Sequence, residues 1–177
     1  MDQLFSERRL VSRVLSHWKQ MAAGERLPSK EDIDPWIVGD DWSHCTLIDV
    51  APVLQYSTIV SIGSELAAAT GQDLSGRQIC EVVSHTLLGL MLLHLPRVVR
   101  TGRYFAVEGD AMIHYGKPIL YRGVLLPLSK QGRMVDSILG ASNYRELRET
   151  DHPGLARKFR TRLMFGRRAV AQDGLIN

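Results

Sequence analysis

The sequence predicts an α+β domain, one five-stranded antiparallel sheet with helices packed on one face, and three observations predict it. Strand-like runs begin near Cys45 and recur at 54–61, 104–114, 118–128 and 134–143. A long apolar run at 78–100 divides the first two from the last three and reads as one helix. Turn-forming segments, Gly116-Lys117-Pro118 and Lys130-Gln131-Gly132-Arg133, join the last three runs as hairpins, and hairpin neighbours pair antiparallel.

At residues 3–22, Leu4, Val11, Val14, Leu15, Trp18 and Met21 fall at helical spacing, with Glu7, Arg8, Arg13 and Lys19 elsewhere on the surface. Such an amphipathic helix needs a cover for its stripe, either the domain's own sheet or a second copy. The expectation is a homodimer that buries this stripe, with Trp18 as its main anchor. From Gly24 to Pro35 the turn formers Gly24, Pro28 and Ser29 make a strap, and Ser29-Lys30-Glu31-Asp32 can cap a short helical turn. Thr70-Gly71 reads as a helix end that needs a left-handed residue, and Gly76 as a turn before the long helix. Along that helix Val83, Leu87, Leu90, His94 and Val98 recur every three or four residues and face the sheet, while His85 faces water.

The corner Thr70-Gly71-Gln72-Asp73-Leu74-Ser75-Gly76-Arg77, set between those strands and the helix, is similar to a turn that many PAS sensory domains carry. Leu27-Pro28-Ser29, Asp32-Ile33-Asp34-Pro35, Leu47-Ile48-Asp49-Val50, Tyr121 to Leu128 and Leu139 to Arg145 resemble phrases of short stand-alone PAS proteins of proteobacteria, in the same order. The resemblance covers residues 25–147 and implies three parts: an N-terminal amphipathic helix at 1–24, a PAS-like domain at 25–147 and a basic C-terminal extension at 148–177. It also implies sensing or protein–protein signalling, without intrinsic catalysis.

Within a PAS-like cup, strand alternation puts Tyr121, Gly123 and Leu125 on one face and Arg122, Val124 and Leu126 on the other. Resemblance to flavin-binding relatives places Tyr121 and Ser142 inward as polar groups, with Ala111, Ile113, Ile138 and Gly140 on the same inner face. With Leu87, Leu90 and His94 from the helix, these residues form the expected site for a small, largely apolar ligand. A closed core is the plainer alternative. Haem-binding relatives carry their iron ligand on the corresponding helix, so His94 is a candidate haem ligand; a core or rim histidine bonded to backbone is the favoured reading. No flavin-attacking cysteine phrase follows the corner, and Cys80 reads as packing.

Hydrophobic residues make up 45% of the 177 and charged ones 23%, which excludes a disordered chain. Two cysteines imply no disulfide framework, and the absence of an export-type N-terminus leads to the expectation of a cytoplasmic protein. No phosphate-binding loop, nucleophile elbow or zinc-ligand spacing occurs, so no metal or catalytic residue is expected, and His44-Cys45 with Asp49 is read as chance. Arg157, Lys158, Arg160, Arg162, Arg167 and Arg168 crowd the C-terminal segment. A solvated helix packed by Leu155, Phe159, Leu163 and Met164 is preferred there over contact with nucleic acid, a nucleotide second messenger or an anionic membrane. A cofactor-free interaction adaptor is the main alternative to a ligand sensor.

Overall fold

The computed structural model describes residues 3–22, 26–33, 39–112, 118–147 and 170–173. Helix α1 spans Gln3–Met21, followed by strands β1 (Cys45–Asp49) and β2 (Thr58–Ile62) and helix α2 (Ser64–Thr70). Helices α3 (Leu87–Leu92) and α4 (Leu95–Thr101) come next, then β3 (Phe105–Met112), β4 (Pro118–Leu128) and β5 (Ser137–Glu146). These five strands form the predicted antiparallel sheet in the order β2-β1-β5-β4-β3, and β6 (Val170–Asp173) adds a sixth at the β3 edge. The arginine-rich residues 157–168 and the chain from 113 to 117 lie outside the described residues.

Two expectations about local structure change. Residues 54–61 are not one strand: Leu54–Tyr56 make a short 3-10 turn, and only then does β2 begin. The long helix at 78–100 is broken into a 3-10 turn at Ile79–Glu81, α3 and α4. Its local chemistry explains the breaks. The Thr86 hydroxyl donates to the Val83 carbonyl (2.8 Å) and accepts from the Gly89 N–H (3.1 Å), a side-chain N-cap that starts a new helix at Leu87. Pro96, in the first turn of α4, has no N–H with which to continue α3. Val83, outside any helix, is therefore 43% exposed and not on an inward face, whereas His85 is exposed as expected.

The sheet is covered on both sides. On the inner side α3 and α4 bring Leu87, Leu88, Met91, Leu95 and Val98 against Ile48, Phe105, Val107, Ile119, Tyr121, Leu125 and Ile138. On the outer side α1 lays Leu10, Val14, Trp18 and Ala22, spaced by four, on Val124, Leu126, Leu128, Leu139 and Ala141. Trp18 is fully buried; its Nε1 donates to the Pro127 carbonyl (3.0 Å), and its ring meets Tyr104 edge-on at 5.9 Å. The α1 stripe is thus covered by the chain's own sheet, which corrects the expected interface: Val14 and Trp18 are spent inside the fold, while Val11, Leu15 and Met21 stay partly exposed. Leu4 lies in α1, but its side chain is outside the described residues. Arg13 Nε holds the other end of this layer by donating to Asp41 Oδ2 (2.6 Å).

At the corner, Gly71 ends α2 with φ 90°, its N–H on the Ala67 and Ala68 carbonyls, and Gly76 has φ 78°. Both need the left-handed region that a side chain resists.

Gly71→Val should cost about 1–3 kcal/mol by chemical denaturation, whereas the exposed Gln72→Ala should stay within about 0.5 kcal/mol. Equal losses would show that the corner is not strained. Val14→Glu, which puts a charge into the outer core, should cost at least about 3 kcal/mol. An unchanged melting curve with altered sedimentation would instead mean that α1 packs on a second copy.

Candidate functional site

Register places the predicted site residues on one surface. Gly109 stands opposite Tyr121, Val107 opposite Gly123 and Phe105 opposite Leu125 across β3–β4. Tyr121 pairs with Tyr144, Gly123 with Ser142 and Leu125 with Gly140 across β4–β5. Directly opposed residues of an antiparallel pair share a face, so Tyr121, Gly123, Leu125, Gly140 and Ser142 all look toward α3 and α4. Ile138, fully buried opposite Ile48, belongs to the same face, as does the half-buried Ala111 opposite Ile119 at the open end of β3. Leu87 is buried above them and Leu90 packs at the margin. Ile113 lies outside the described residues.

The space above the small residues of this face is occupied. A Cβ built on Gly123 would meet Met91 Sδ at 2.1 Å and Cε at 2.5 Å, so the Met91 thioether sits directly on the glycine backbone. A Cβ on Gly140 would meet Thr46 Cγ2 at 2.8 Å, and one on Gly109 would meet the Tyr121 ring at 3.3 Å. The glycines of this face are therefore where other side chains lie down, which is how a close-packed interior uses them.

Polar groups here have local partners. Ser142 Oγ donates to the Arg122 carbonyl at 2.8 Å, which leaves its oxygen lone pairs to accept. Tyr121 is 8% exposed, and its ring lies over Gly109. His94 is not on a continuous helix face but at the junction of α3 and α4, half-buried, its ring stacked on Phe105 at 4.4 Å with Arg97 over the same ring. A porphyrin would need the space that Met91, Tyr121 and Phe105 fill, so these residues do not fit a haem. Sequence reasoning missed Met91, Phe105 and Tyr144 on this surface, although the steps from Leu87 to Met91 and Leu95 had helical spacing.

The other constellations do not assemble. His44 ends a 3-10 run, and burial lowers its pKa against the opposing charges of Glu65 and Asp41. Cys45 is fully buried, and the loss of water pushes its thiol up to about 12 while Sγ donates to the Asp41 carbonyl at 3.3 Å. Asp49 lies at the far end of β1, about 13 Å on by strand rise, bound to Lys30 Nζ (2.8 Å) and accepting from Ser137 Oγ (3.1 Å). A protonated thiol that far from a committed carboxylate is no nucleophile. Among the described residues no three of His, Cys, Asp and Glu gather in a way that could hold a metal, and no helix is long and apolar enough to cross a membrane.

The order of strands, the corner and the helix-covered inner face define a sensory-domain fold, and the comparison of families agrees. The chain belongs to the PAS domain family, whose sequence model matches residues 7–143 and so includes most of α1. Among solved structures it is similar to the PAS domain of Bordetella pertussis BvgS, with 13% identity over 85% of this chain and 96% of that one and a TM-score of 0.44. A Rhodobacter sphaeroides LOV protein shows 17% identity over 64% of each chain and a TM-score of 0.42. The Vibrio cholerae VqmA dimer shows 16% identity over 69% of this chain and 54% of that one, also with a TM-score of 0.42. No curated protein matches this chain.

The folded protein should expose one thiol to an aromatic disulfide reagent at pH 8, that of Cys80, with Cys45 reacting only on unfolding. Two fast thiols would show that α1 does not seal the outer core. Because burial raises the folded pKa of Cys45, its contribution to stability is complete below pH 9 and is lost as pH rises from 9 toward 12. Cys45→Ala should remove that part of the alkaline loss.

Proposed function

We propose that this PAS-domain chain is a sensory or regulatory module that takes a small, largely apolar molecule between α3, α4 and the inner face of the sheet. Leu87, Leu90, Ala111, Leu125, Ile138 and Gly140 would supply apolar walls, Tyr121 and Ser142 the orienting hydroxyls, and His94 the rim. The single observation that carries this reading is the convergence of Gly123, Gly140 and Gly109 with Tyr121 and Ser142 on one helix-covered face. Bare backbone beside two hydroxyls could receive the polar edge of a ligand once a covering side chain moves aside. Output would pass through a protein partner in the cytoplasm. The expected homodimer enters in reduced form, since among the described side chains of its stripe Val11, Leu15 and Met21 keep partial exposure and Val14 and Trp18 do not. Solvent-extracted purified protein should yield one dominant small molecule, and adding it back should raise the melting temperature by mass action. Tyr121→Phe should keep the fold and lose about tenfold in affinity, the order of one hydrogen bond.

A second reading, an adaptor that binds partners without a ligand, is favoured by the Met91 thioether that already fills the space above Gly123. An empty extract, with no compound shifting the melting point, would establish it over the first.

A further inference from the structure

We propose that Met91 is the movable occupant of this site, and that its ligand is a neutral molecule of about one ring that displaces the thioether from its seat on Gly123. The inference rests on the ligand-binding reading above and adds how the site opens and what enters it.

The geometry of the seat comes first. Met91 is 2% exposed, and its terminal sulfur and methyl are the atoms nearest to the position of a Gly123 Cβ. Behind them the nearest group is the Ala141 carbonyl, at 3.2 Å. The floor is therefore peptide backbone, and what covers it is the far end of an unbranched side chain. Methionine is suited to such a place because its three rotatable bonds let the thioether leave while its Cα stays still. A branched residue would need the helix to move. The helix that carries it is short, Leu87–Leu92, and closed by Pro96 just beyond.

The chemistry of the walls then selects the ligand. Among the described buried residues none is Asp, Glu, Lys or Arg, so a charged ligand seated on them would lose its hydration without gaining a buried counter-charge. The surface uncovered by the thioether is the Gly123 backbone with Ser142 directly opposite and Tyr121 two residues along the strand. These groups can receive one polar edge on an otherwise apolar body. The volume vacated by one unbranched side chain is at most that of a small ring and excludes a fused system. The thioether's own contacts with the backbone must be given up, so intrinsic affinity is reduced by the fraction of time the seat is closed.

The experiment uses the full chain labelled with ¹³C at its methionine methyls, with phenol as the probe, a neutral single ring with one donor. The Met91 methyl is assigned by its absence in Met91→Leu. Phenol should move that resonance saturably in wild type, and Met91→Ala should bind phenol at least about tenfold more tightly because the seat is permanently open. Should Met91→Ala fail to fold, Gly123→Ala serves: its added methyl should push the thioether off, shifting the Met91 resonance and lowering the melting point. Phenol binding to wild type with an unmoved Met91 methyl would overturn the plug and leave the ligand-binding reading standing. No gain in Met91→Ala, or no effect of Gly123→Ala on the resonance, would also overturn it. An empty solvent extract, read separately, decides the ligand-binding reading itself.

Discussion

The middle of β4 has water on neither face, and the rest of the molecule is arranged around that condition. From Gly123 to Ser129 every residue is buried, so inward and outward side chains both need apolar partners. α3 and α4 supply them on one side and α1 on the other. Without α1 the outer residues Val124, Leu126 and Leu128 would face solvent as a contiguous apolar patch, the kind of surface that associates. Pro127 fits the same arrangement: it lies past Leu125, the last β4 residue paired with β3, and its carbonyl takes the Trp18 indole. One hydrogen bond and one buried ring thereby tie α1 to β4.

The inner core obeys a different economy. Its glycines are not voids but landing places, each covered by a named side chain: Met91 on Gly123, Thr46 on Gly140, Tyr121 on Gly109. Packing of this kind is dense enough to hold the fold without a ligand, yet two of the three covers differ in how readily they leave. Thr46 is β-branched and sits on strand β1, whereas Met91 is unbranched. A closed cup and a responsive one are distinguished by that residue.

Much of this was legible in the sequence. β4 falls on 118–128 as expected from its apolar run, and period-two alternation put Tyr121, Gly123 and Leu125 on the correct side. The helix break was legible as well, in Thr86 and Pro96, but periodicity across 78–100 outvoted both, because leucines on either side of a kink keep helical spacing. The home of α1 could have been found from Val124-Leu125-Leu126-Pro127-Leu128: an uninterrupted apolar strand is one covered twice, and the N-terminal amphipathic stripe with Val14 and Trp18 was there to cover it. What no pattern could supply is that Met91, not a cavity, lies on Gly123, since the choice among rotamers depends on every neighbour at once.

Gly123 looks into the cup, and Val124, the next residue, looks into the α1 layer. The cup and the N-terminal helix are thus separated by a single peptide plane, which resists twisting about its own bond while φ and ψ on either side stay soft. Whatever part of a backbone shift at Gly123 those torsions do not absorb reaches the side chain under α1 through one covalent link. In mechanical terms β4 is a lever of one residue's length, stiff along its own axis and loaded by a core on each side.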